Sequence, residues 1–119
     1  MNCSTDKGLM IIGDTYHRSF VFEMPDPDSL TPDNPSYIPM DLSLYDIRYY
    51  LYAGGKYLVD KSTGFDITDN QIDIEVLPDV TKTASPVIYK EIFIFTLISD
   101  PTKITTQYTG EVQAKQRNQ

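Results

Sequence analysis

With 119 residues, 17 of them acidic and 10 basic, the chain is the size of one ordinary domain and carries a net charge of -7. That length allows one sizeable core, and the acidity argues against nucleic acid, whose binders attract phosphates with clustered Lys and Arg. The lone Cys3 excludes an intrachain disulfide, and the longest apolar run, around Ile92 to Ile98, is far below the ~20 residues of a membrane-spanning helix.

The polar opening Met1–Lys7 is expected to fray and shows neither secretion signal nor anchor. Ile, Val, Thr, Tyr and Phe dominate the rest, and no helical period runs over eleven or more residues, so the elements are read as strands. Leu9–Ile12 is a short apolar strand ended by the turn signal Gly13-Asp14. In Thr15–Met24, Tyr16, Phe20 and Phe22 share one parity and His17, Ser19 and Glu23 the other, which sends the aromatics inward and His17 to solvent. Pro25–Pro39 holds five prolines and three aspartates. Because Pro cannot donate to a central ladder, this is a long loop, ordered or flexible, and a contact surface to suspect at Leu30 and Tyr37.

Met40–Ser43 reads as a brief strand. In Asp46–Ala53, Ile47, Tyr49, Leu51 and Ala53 alternate with Asp46, Arg48, Tyr50 and Tyr52. Gly54-Gly55 suits a primed hairpin turn, and Lys56–Asp60 returns along the partner strand. Lys61–Gly64 turns into Phe65–Thr68, and Gln71–Val76 follows. A helical turn near Leu77–Lys82 is the one helical candidate. Val87–Ser99 reads as the longest strand, apolar on both parities, and so either central or at an interface. After the turn at Asp100-Pro101-Thr102, Ile104–Lys115 is a final strand with a bulge or bend at Gly110, and the tail from Gln116 is polar. One domain over residues 1–119, an all-β immunoglobulin-like antiparallel sandwich of seven to nine strands, is the expected architecture, with a small barrel as its competitor.

The stretch "FDITDNQIDIEV" holds Asp66, Asp69, Asp73 and Glu75. On a strand, Ile72, Ile74 and Val76 point one way and Asp73 and Glu75 the other, which describes a solvated face, and Asp66 and Asp69 flank a turn. Calcium is the functional rival, but neither "DITDNQIDIE" nor "DPDSLTPDNP" has the acid spacing of a helix-loop-helix site. One His and one Cys give no catalytic pair and too few zinc ligands. No catalytic, cofactor or metal residue is therefore assigned. Nine Tyr and five Phe without Trp are a high aromatic load. Tyr50 and Tyr52, on the outward row of the hairpin, suit either cross-strand packing or stacking against a sugar or partner protein.

The segments "GDTYHRSFVFEM", "PMDLSLYDIRYYLYAG", "FDITDNQIDIEV" and "VIYKEIFIFTLISDPTKITTQYTGEVQAK" together resemble the small β-sandwich domains of bacteriophage tail and baseplate proteins, similar to the N-terminal domain of baseplate upper proteins. Gly13, Asp14 and Thr15 match a strand-opening Gly-Asp-Thr, Pro39 to Ser43 a Pro-hydrophobic-Asp-Leu-Ser step, and Gly110 with Val112 the closing positions. The resemblance spans residues 8 to 115 and departs from the pattern in the long proline-rich loop and at Pro86. It implies a non-enzymatic virion component, a homo-oligomer that contacts other virion proteins and needs no cofactor. Tyr50, Tyr52, Leu30, Tyr37 and the chain ends are the expected contacts. A glycan-binding module working through the outward tyrosines is the alternative.

Overall fold

β-branched and aromatic residues between short breaker clusters favour strand, and strand is what most of the chain adopts. The computed structural model describes residues 2–4, 8–26, 28 and 36–117. Along them run β1 (Asn2–Ser4), β2 (Gly8–Ile11), β3 (Tyr16–Pro25), β4 (Tyr37–Pro39), β5 (Tyr45–Ala53), β6 (Lys56–Lys61), β7 (Asp66–Thr68), β8 (Gln71–Val76), β9 (Ile88–Leu97) and β10 (Ile104–Lys115). A 3-10 turn at Leu42–Leu44 and one helical turn, α1 (Pro78–Thr81), interrupt them. The first sheet has the order β1-β3-β8-β7, with β4 also paired to β3, and the second the order β2-β10-β9-β5-β6. The all-β sandwich expected from the sequence is the fold.

Alternation along the strands builds the core between the sheets. Phe20 and Phe22 of β3 and Ile72, Ile74 and Val76 of β8 face Tyr49 and Leu51 of β5 and Phe93 and Phe95 of β9, all buried. Phe20 meets Phe93 edge-on at 4.8 Å, and Phe22 meets Phe93 and Phe95 at 5.2 and 5.0 Å. Each such pair contributes about 0.5–1.5 kcal/mol beyond the area it buries.

Gly54 and Gly55 lie at φ +57° and +80°, as a two-residue primed turn requires, and close the β5–β6 hairpin as expected. Four expectations need correction. Met40–Ser43 contains the 3-10 turn rather than a strand, because the Asp41 carboxylate accepts hydrogen bonds from the Ser43 amide (3.1 Å) and hydroxyl (2.6 Å) and so diverts the backbone. The longest strand is β10, not β9. The sheets are not wholly antiparallel, since β2 runs parallel to β10, with Gly8 opposite Val112. Finally, part of the opening segment is paired rather than frayed, with Asn2–Ser4 running antiparallel to Glu23–Val21. Leu30, with most of the proline-rich loop, lies outside the described residues.

Candidate interaction surface

The outer faces of the two sheets differ in chemistry. On the first sheet, His17 and Ser19 of β3, Glu75 of β8 and Asp66 and Thr68 of β7 are exposed, and Asp66 stands directly across from Asp73. The Ser19 hydroxyl donates to the Asp73 carboxylate, as does the Gln71 side-chain amide at 3.1 Å, and these bonds hold the Asp73 carboxyl below its ordinary pKa. The acids of the "FDITDNQIDIEV" stretch thus lie on a solvated, hydrogen-bonded face. No group of three or more His, Cys, Asp or Glu among the described residues is placed to hold a metal ion. The backbone contact at the β7–β8 turn comes from Asn70, whose side-chain amide donates to the Phe22 carbonyl at 2.8 Å, while Asp69 takes up the left-handed backbone at φ +53°.

The outer face of the second sheet is apolar and aromatic at its middle, with Asp46, Lys90 and Glu111 exposed toward its ends. Its cross-strand rows set Tyr50 beside Ile92 and Ile92 beside Tyr108, Arg48 beside Ile94 and Ile94 beside Thr106, and Thr96 beside Ile104. Tyr57 packs at 5.0 Å from the rings of both Tyr50 and Tyr52. The Arg48 guanidinium lies 4.7 Å over Tyr50 and donates two hydrogen bonds to Asp60, at 2.9 and 2.8 Å, which hold the Asp60 carboxyl low. Tyr50 is consequently only 8% exposed. Of the two uses open to Tyr50, cross-strand packing is the one this cover describes, and Tyr52 is half-buried beside it. What remains open is Tyr57, Ile104 and Tyr108, at 57, 60 and 48% exposure, and a hollow of about 300 Å³ that Tyr57, Ile92, Ile94 and Thr106 line with Tyr50 and Tyr52. Tyr37 is exposed too, but on β4 of the first sheet, so the structure does not gather the expected contact residues into one place.

Beside this face runs a free strand edge. β10 pairs with β9 from Ile104 onward, whereas β2 covers its other side only from Val112 to Lys115. No described residue pairs with Ile104–Tyr108 on that side. The change of register is a bulge at Thr109, between Tyr108 and Gly110, with Gly110 at φ +130°. Inside the sandwich the bulge is anchored to a buried acid. Glu91, fully buried on β9, accepts hydrogen bonds from Thr109 Oγ1 (3.0 Å), Tyr49 Oη (2.6 Å), Tyr16 Oη (3.4 Å) and Arg18 Nη2 (3.0 Å).

Burial, and then the Glu91 charge, push the Tyr16 and Tyr49 phenols far above their ordinary pKa, so both hydroxyls keep the protons they donate. Burial also works against the Arg18 charge, but Glu91 and the surrounding hydroxyls outweigh it and raise the guanidinium's pKa. Gly8 permits the close approach of β2, because a Cβ there would stand 2.5 Å from Tyr16 Oη and 2.8 Å from Val112 Cγ2. The sequence reading missed this cluster, although parity signals it: Arg18 shares the inward row of Tyr16, Phe20 and Phe22, and Glu91 that of Tyr89, Phe93 and Phe95.

A scan against protein-family models and a search of curated proteins both give no match for this chain.

Proposed function

We propose that the chain is a non-enzymatic structural component of a bacteriophage virion, an adaptor or attachment module that joins other virion proteins of the tail, baseplate or fibre. One observation carries the reading: the two outer faces are divided between a solvated acidic sheet and an apolar, aromatic sheet bordered by an unpaired strand edge. Such a division suits a module that meets neighbours through one side and water through the other, because buried apolar area and edge pairing are what hold protein surfaces together. The resemblance in "GDTYHRSFVFEM" and its companion segments supplies the setting, and Glu91 and its donors serve it by fixing the bulge that ends the free edge. In this reading no residue performs chemistry.

The test is composition of the particle. Antibody raised against the chain should stain purified phage particles at one fixed site in electron micrographs, and mass spectrometry should find the chain at constant ratio to the tail proteins. Particles free of the chain would overturn the proposal.

A second reading, glycan binding, has its own observation. Lys56, Tyr57, Thr83, Ser85 and Val87 line a cleft of about 560 Å³ between the β5–β6 hairpin and the segment leading to β9, a volume within the usual range for small-molecule sites. With Tyr50 covered, Tyr57 is the ring left to stack on a sugar. Glycan-array binding abolished by Tyr57→Ala would favour this reading, and an array without signal would remove it.

A further inference from the structure

We propose that a second copy of this chain pairs with β10 edge to edge, antiparallel about a two-fold axis at Thr106, so that two second sheets become one continuous sheet. The inference rests on the reading of the second sheet as an assembly surface and names its first partner.

The backbone prepares the pairing. The Leu97 amide donates to the Lys103 carbonyl at 3.0 Å, and in an antiparallel ladder the groups bonded to one neighbour alternate with those facing the other side. Thr105 and Gln107 therefore turn their amides and carbonyls to β9, as Lys103 does its carbonyl while its amide closes the turn on the Asp100 carbonyl at 2.9 Å, and Ile104, Thr106 and Tyr108 present theirs to the open edge. At the far end the alternation has switched, as the bulge requires: the Ala114 amide donates to the Val87 carbonyl at 3.0 Å, and the Ile12 amide reaches the Lys115 carbonyl at 2.9 Å. The edge groups of Ile104, Thr106 and Tyr108 are thus left for a strand that no described residue of the chain supplies.

Charge and register select the occupant. The segment Ile104–Gly110 has no charged residue in a chain of net charge -7, and Lys103 and Glu111, both exposed, bracket it with opposite signs. Antiparallel pairing about Thr106 brings each Ile104 opposite the other copy's Tyr108 and one Thr106 opposite the other. Each Lys103 then comes opposite the other copy's Gly110, since the bulge takes up Thr109, so no charged residue stands opposite another across the axis. A parallel arrangement would set Lys against Lys and Glu against Glu.

Ile–Tyr and Thr–Thr are favourable cross-strand pairs. All these side chains lie on the apolar outer face, which the pairing extends across the axis. Two other edges are guarded, since β6 carries Lys56, Asp60 and Lys61 and β7 has only three residues. The acidic faces of the two copies would stay on the opposite side of each sandwich, out of contact.

The experiment is native mass spectrometry and sedimentation of the full chain, with circular dichroism as the fold control. The expected result is a dimer. Thr106→Lys places like charges on the axis and should weaken the dimer about a hundredfold with an unchanged spectrum. A monomeric chain at every concentration, or a dimer indifferent to Thr106→Lys, would overturn the proposal. Either result would leave the particle-composition test of the virion reading untouched.

Discussion

At the residue scale, the cluster around Glu91 concentrates the risk in this fold. Removing one partner of a buried ion pair strands the other, at a typical cost of about 3–5 kcal/mol. Glu91→Ala should therefore lower the denaturant midpoint severely, whereas replacing Glu91 and Arg18 together by Leu and Met should cost much less. The phenols give a pH signature. Tyr16 and Tyr49 have folded-state pKa values raised above the unfolded value of about 10. The stability linked to their protons is therefore complete below that pH and is lost as pH rises through and beyond it. Ultraviolet titration should show two of the nine tyrosines withholding ionisation until the chain unfolds in alkali. Tyr49→Phe should start less stable at neutral pH and decline less steeply above pH ~10.

At the element scale, Gly55 tests whether the hairpin turn is set by backbone alone. A Cβ at Gly55 would meet nothing within 4 Å, so Gly55→Ala should cost only the left-handed penalty of about 1–2 kcal/mol in thermal or denaturant unfolding. Gly8→Ala should cost more, for a different reason, because its Cβ would strike Tyr16 Oη and Val112 Cγ2. What could be read from the sequence follows the same division. Local chemistry spoke clearly: Gly54-Gly55 announced the hairpin, parity in Tyr16–Phe22 and Ile72–Val76 announced the buried rows, and Pro78 opened the helical turn. Non-local geometry did not. The parallel docking of β2 on β10 has no sequence period, and the Asp41 side chain converted an extended-looking segment into a 3-10 turn. Tyr50 was placed correctly on the outward row, but the Arg48 and Tyr57 that cover it belong to packing which alternation does not describe.

At the scale of the whole molecule, the account depends on a difference between two faces. The first sheet offers water a set of carboxylates, hydroxyls and His17. The second offers a neighbour exposed Tyr57, Ile104 and Tyr108 and the hollow lined by Tyr57, Ile92, Ile94 and Thr106, with the Ile104–Tyr108 edge, unpaired among the described residues, alongside. Assembly through that side also leaves the charge of -7 free to keep the complex in solution. Amide hydrogen exchange on the chain in dilute solution and in its assembled form is the most direct measurement. The account predicts fast exchange at Ile104, Thr106 and Tyr108 in the dilute chain and marked protection of the same amides on assembly, with His17–Ser19 and Asp73–Glu75 unchanged. Protection gained on the first sheet, with the β10 edge still exchanging freely, would contradict it.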